Sequence, residues 1–190
     1  QMCIRDSNDW MQAMIDGDNE KRTVWAKVLQ SRGEMGYPYI FFTDNANNNA
    51  ADVYKDKKLP IYASNLCTEI MLPSDHNWSF VCVLSSINVL HYDKWKDTDA
   101  VETMIYFLDA VITEFLEKLE KYKNSENRDD QQTFLFMERA YNFSKENRAL
   151  GMGVLGWHSL LQSKMLPFDS QEAYDLNSEV FKYIQARSHV

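Results

Sequence analysis

Apolar residues recur along this chain with two different periods, and each period predicts a kind of element. Within residues 20–30, Val24, Trp25, Val28 and Leu29 fall at helical spacing, with Gly33 and Gly36 as the expected stop. Residues 38–42 form a continuous apolar run of strand length, followed by the Asp/Asn-rich residues 44–49, which read as a loop. Residues 60–63 read as a short strand, and residues 80–84, bounded by Ser79 and by Ser85 and Ser86, as a buried one. A long helix is predicted to start near Asp97 or Thr98, either of which can cap it. Its stripe is Val101, Ile105, Leu108, Ile112, Leu116 and Leu119, widened by Met104, Phe107, Val111 and Phe115. Residues 121–132 are a charged stretch with no apolar residue beyond Tyr122 and read as a solvated loop. A glycine-bearing apolar run at 150–154 then leads into a helix through His158, Leu160 and Leu161. The last helix shows Asp169 and Glu172 at capping-box spacing, with Ala173, Leu176, Val180 and Ile184 on one face. Short strands separated by helices predict an α/β fold with largely parallel pairing.

Composition narrows the classes of function. The hydrophobic fraction of 45% and aromatic fraction of 13% supply a packed core rather than a disordered chain. A net charge of −8 argues against a binder of nucleic-acid backbone, which needs a basic face. No apolar run has the length of a membrane span, and the first residues lack a basic-then-apolar signal pattern. Three cysteines without such a signal make a disulfide scaffold a poor fit, so a cytoplasmic protein with reduced thiols is expected. Residues 1–7 show no pattern and read as an unmatched leader, leaving 8–190 as the domain. The last helix meets the chain end without a stop signal, as expected of part of a larger domain.

One segment has the residue types for chemistry. Asn65, Cys67 and Glu69 alternate with Leu66 and Thr68, so an extended backbone would put an amide, a thiol and a carboxyl on one face. A buried structural cysteine beside a strand-end acid fits the same spacing. If the site is functional, a neighbouring carboxylate disfavours a thiolate nucleophile, because like charges repel. It is compatible with a thiol that stays protonated for one-electron chemistry. Two other patterns carry less. Gly151, Gly153 and Gly156 satisfy the spacing of a dinucleotide-binding turn, but that turn needs a strand before its first glycine, and residues 142–148 are largely polar. His76, His91, His158 and His189 are scattered with no short ligand spacing to a cysteine, so no metal site is expected.

The string Ser64-Asn65-Leu66-Cys67-Thr68-Glu69-Ile70 resembles the radical-site signature of ribonucleotide reductase large subunits. Residues 36–40, 79–86 and 148–156 match in the same order, extending the resemblance over roughly residues 10 to 188. It implies part of a ten-stranded α/β barrel with the radical cysteine on an internal loop. Cys67 would be the transient thiyl radical that removes the 3′ hydrogen of a ribonucleotide, the implied substrates being diphosphates. Glu69 would take the 3′-hydroxyl proton, and Asn65 would hydrogen-bond the ribose hydroxyls. Ser64, Asn65, Leu66, Cys67 and Glu69 would line the substrate. Cys82 would be one member of the redox-active disulfide, near Cys67 across the substrate, its partner lying outside this chain; Cys3 does not match that partner. No cofactor is expected to bind the chain itself. The implied partners are a radical-generating, metal-containing small subunit, thioredoxin or glutaredoxin, and a second copy of the large subunit. Allosteric sites for ATP and deoxynucleotides would lie outside these residues, and the chain alone is expected to be inactive. Two alternatives stay open: the cobalamin-dependent member of the same superfamily, and a non-catalytic α/β interaction domain.

Overall fold

The computed structural model describes residues 3–189, with side chains from Ser7 onward. It divides into two compact units, residues 1–80 and 81–190. In the first, a strand β1 (Cys3–Asp6) pairs in parallel with β2 (Tyr39–Phe42). Residues 3–6, which show no pattern in the sequence, owe their strand to this pairing. Between the strands run α1 (Asn8–Asp16) and α2 (Asn19–Met35). Each has an acceptor at its N-cap: Ser7 takes the Trp10 amide at 3.2 Å and Asp18 the Lys21 amide at 3.1 Å. Such a bond satisfies a backbone donor that the helix itself cannot. Gly36 ends α2, whereas Gly33 lies inside it, because a glycine weakens a helix without stopping it when flanking turns hold.

The Asp/Asn-rich residues after β2 are helical rather than a loop: α3 spans Thr43–Asn48 and α4 spans Asp52–Asp56. Tertiary bonds make the difference. The Asp44 carboxylate accepts the Asn8 amide at 2.7 Å. The Asn47 side chain grips the backbone of Ile61, donating to its carbonyl at 2.9 Å and accepting its amide at 2.8 Å. Residues 60–63 are therefore pinned by a side chain and form no strand, although Ile61 is buried.

The second unit is built on β3 (Val83–Asn88) and β4 (Leu150–Leu155), again parallel, with Val83 opposite Leu150 and Asn88 opposite Leu155. The strand expected at 80–84 is displaced toward the C-terminus, and Ser85 and Ser86 lie inside it. Pairing decides this: Ser86 faces Gly153, where a small polar side chain fits. After a short turn of helix and α5 (Tyr92–Trp95), the long α6 covers Ala100–Lys123. The Thr98 hydroxyl accepts the Ala100 amide at 3.3 Å, within the expected start. The predicted solvated loop at 121–132 shrinks to four residues, because α6 continues to Lys123 and α7 (Arg128–Asn147) begins directly after. Charged residues stay helical there because the two helices pack, burying Leu119, Phe134 and Tyr141 with Phe115 and Leu116 against them. α8 (Trp157–Ser163) and α9 (Gln171–Arg187) complete the unit. The cap of α9 is Ser170, which accepts the Ala173 amide at 3.1 Å, rather than Asp169.

The core of this unit joins Ile87, Val89, Tyr92, Val101, Leu160, Val180 and Ile184, with Met104, Trp157 and Leu176 packed on its edge. Each large apolar side chain buried this way contributes roughly 1.5–3 kcal/mol. The stripe read from α6 is buried at Val101, Leu108, Ile112 and Leu119, but Phe107 and Val111 stay exposed. No helix among the described residues is long and apolar enough to cross a membrane.

Candidate active site

The segment from Ser64 to Ile70 is a closed turn, not an extended strand. Leu66 and Cys67 are turn residues, and the Thr68 amide donates to the Asn65 carbonyl at 3.1 Å. Thr68 has φ +66°, a left-handed conformation that costs a β-branched residue about 1–2 kcal/mol. That turn brings Asn65 to Glu69 by curvature, where strand alternation would have kept them two repeats apart. The Asn65 amide nitrogen donates to Glu69 Oε1 at 2.8 Å, and its carbonyl oxygen accepts the Ile70 amide at 3.1 Å. Ser64 closes the ring from outside, its hydroxyl 2.8 Å from the Ile70 carbonyl and 3.2 Å from Asn65 Oδ1. Cys67 sits at the crest with its side chain exposed, and its carbonyl accepts the Thr68 hydroxyl at 2.6 Å.

Chemically, this is a thiol presented outward on a short ring whose base is an amide–carboxylate pair. The hydrogen bond to a carboxylate is of the charge-assisted kind, stronger than a neutral one. It fixes both side chains before anything binds. Leu66 is exposed beside the thiol.

Two further residues serve this segment without having stood out in the sequence. Asn47 holds Ile61 by two backbone bonds, three residues before Ser64. Its signal was an asparagine in a polar run, which sequence reading assigns to a loop. Tyr39, on β2, is electrostatically in touch with Cys67. Its hydroxyl is held above the usual tyrosine range, first by a hydrogen bond with Tyr37, then by Tyr37's charge, burial and the thiol of Cys67. The two tyrosine rings lie 5.2 Å apart, centre to centre. In the sequence Tyr39 reads as part of an apolar strand and of the matching residues 36–40, with no role of its own.

Cys82 belongs to the second unit, exposed on the residue just before β3. The glycines opposite that strand have a structural use. Gly151 lies in β4, where a Cβ would come 2.2 Å from Leu84 Cδ2, so its bareness leaves room for the Leu84 side chain of the paired strand. The first two glycines of the dinucleotide-like spacing thus lie inside a strand, whereas the fingerprint needs them in the turn that follows one. Among the described residues, no group of three or more His, Cys, Asp or Glu side chains could hold a metal ion.

A family described as ribonucleotide reductase, barrel domain, matches residues 11–190. The ribonucleoside-diphosphate reductase large subunit of Invertebrate iridescent virus 3 is 33% identical over 86% of this chain and 24% of its own length. That of Invertebrate iridescent virus 6 is 38% identical over 64% of this chain and 11% of its own. Among solved structures, the class Id ribonucleotide reductase alpha subunit of Actinobacillus ureae superposes with a TM-score of 0.78 at 48% identity. The match covers 98% of this chain and 34% of that one. The chain therefore spans about a tenth to a third of the length of these relatives.

Proposed function

The chain belongs to the ribonucleotide reductase barrel-domain family, and from that premise we propose that its Ser64–Ile70 turn is the radical-bearing part of a reductase active site. The observation that carries the reading is the 2.8 Å bond between Asn65 and Glu69 beneath the exposed thiol of Cys67. A carboxylate acting as base needs an orienting donor, and a thiol acting on substrate needs access. Both are met within five residues.

The reaction proceeds as follows. A thiyl radical on Cys67 takes the hydrogen from C3′ of a ribonucleotide, leaving a thiol and a carbon radical. Glu69 accepts the proton of the 3′ hydroxyl, and Asn65 holds the ribose hydroxyls. The 2′ hydroxyl leaves as water. A thiol pair, of which Cys82 is one member, supplies two hydrogens and ends as a disulfide. Cys67 then returns a hydrogen to C3′, regenerating its radical, and Glu69 returns its proton to the 3′ oxygen. The balance is one ribonucleotide and one dithiol to one deoxyribonucleotide, one disulfide and one water.

The substrate class is a ribonucleoside diphosphate, as the names of the relatives state for those proteins. The same reading supplies the radical from a separate small subunit, re-reduces the disulfide through thioredoxin or glutaredoxin, pairs two large subunits, and places the enzyme in the cytoplasm. Cys67→Ser in a full-length large subunit carrying this segment, assayed with its small subunit, is expected to abolish deoxynucleotide formation. Turnover at the parent rate would overturn the proposal.

A further inference from the structure

The hydroxyl of Ser64 is already engaged on both sides by the turn that it closes. It lies 2.8 Å from the Ile70 carbonyl and 3.2 Å from Asn65 Oδ1, and it has one proton to give. The nearer carbonyl takes that proton, which ties residue 64 to residue 70 across the whole turn. Asn65 Oδ1 meanwhile accepts the Ile70 amide at 3.1 Å, so Ile70 is held by both its backbone groups, one on Ser64 and one on Asn65. The Asn65 nitrogen is left to point at Glu69 Oε1. Asn65 therefore has its oxygen fixed by one end of the staple and its nitrogen on the carboxylate.

We propose that Ser64 is a positioning residue: its hydroxyl, by stapling the turn at Ile70 and bordering Asn65 Oδ1, aims the Asn65 amide at Glu69. The resemblance implies that Ser64 borders the substrate; in this proposal its effect on the reaction runs through Asn65 and Glu69. The proposal rests on the reading of Asn65, Cys67 and Glu69 as the reacting and orienting groups.

Without the staple, the turn must hold Thr68 in its left-handed conformation by the remaining bonds alone. The Asn65 side chain then gains rotational freedom that a bound substrate does not restore. Misplacement of an orienting group lowers the rate of the chemical step more than it weakens binding.

The test uses a full-length large subunit carrying this segment, with its small subunit, in steady-state reduction of a ribonucleoside diphosphate. Ser64→Ala is expected to lower kcat about 10-fold while KM stays within about two-fold. Ser64→Thr and Ser64→Val have the same shape and differ only in the hydroxyl. Thr is expected to retain most of kcat and Val to fall with Ala. A raised KM at unchanged kcat for Ala would mean direct contact with substrate and overturn the proposal. Ala at the parent rate, or Thr as impaired as Val while Ala is active, would also overturn it. Should the Ala protein fail to fold, the Thr–Val comparison decides alone. Cys67→Ser run alongside separates the two readings: if it retains turnover, the active-site reading fails; if it is dead while Ser64→Ala is normal, only the positioning role fails.

Discussion

Gly156 offers a quantitative test of how the second unit is joined. It sits between β4 and α8 with φ +81°, a conformation that costs an L-residue about 1–2 kcal/mol. A Cβ there would also lie 2.3 Å from Asn88 Oδ1. That oxygen accepts the Leu90 amide at 3.0 Å and caps the helical turn after β3. To admit the methyl group, Asn88 must swing away and its cap bond is lost, at about 1 kcal/mol. Gly156→Ala should therefore destabilise this junction by about 2–3 kcal/mol, the sum of the two terms. Hydrogen exchange read by mass spectrometry on peptides covering 83–91 and 150–163 reports the local opening. Rates there should rise about 30- to 150-fold, since about 1.4 kcal/mol is ten-fold. In an Asn88→Ala background the contact and the cap are already gone. Gly156→Ala should then cost only the backbone term, about 5- to 30-fold. Exchange in the single variant within two-fold of the parent would refute the reasoning. Equal effects in both backgrounds would refute the part assigned to Asn88.

Further expectations concern other parts of the molecule. Tyr92 is buried in a cluster with Trp95 and Tyr183, and burial first, then a hydrogen bond to Glu179, pushes its pKa up to about 12. Because the folded value lies above the ordinary 10.0, neutral Tyr92 stabilises the unit fully below pH 10.0, and that stability is lost as pH rises through about 12. Tyr92→Phe should flatten this alkaline loss in a pH series of exchange or circular dichroism; an unchanged alkaline limb would contradict it. Arg148 ends α7 at φ +42° while bonding Asp109 at 2.6 and 2.9 Å and the Thr113 hydroxyl at 2.8 Å. Ala loses the bridge and keeps the strain, whereas Gly loses the bridge and relieves it. Exchange in peptides of α6 and α7 should thus be about five-fold faster in Arg148→Ala than in Arg148→Gly, and the reverse order would refute the assignment. The 190-residue chain by itself leaves Phe136 80%, Phe168 71%, Leu135 61% and Phe107 59% exposed. It is expected to self-associate and bind a hydrophobic dye, so a monodisperse monomer with no dye binding would count against this.

The positions where sequence reading succeeded share a cause. The α6 stripe, the parallel α/β arrangement and the family resemblance carried by the Ser64–Ile70 string depend on residues close in sequence, whose periodicity or order is visible directly. Val101, Leu108, Ile112 and Leu119 are buried as their spacing requires. The misses also share one. Residues 44–49 are polar and turn-rich, yet Asn47 spends its side chain on Ile61 and the segment coils into a helix. Residues 121–132 are charged, yet they continue α6 and begin α7 because the two helices bury a joint core. Ser85 and Ser86 look like strand punctuation, yet they pair with Met152 and Gly153. In each case the deciding partner lies far along the chain.

At the candidate site the division is the same. By itself the sequence determined which groups are available: an amide, a thiol and a carboxyl at positions 65, 67 and 69, in an order that resembles a known signature. It could not determine how they meet. Alternation in a strand would have set them side by side on a face. Folding instead puts Thr68 in a left-handed turn, staples Ser64 to Ile70, and lays the Asn65 amide on Glu69 with Cys67 exposed above. A turn is chosen by backbone hydrogen bonds and the strain that they offset, and those bonds exist only once the flanking segments are held in place.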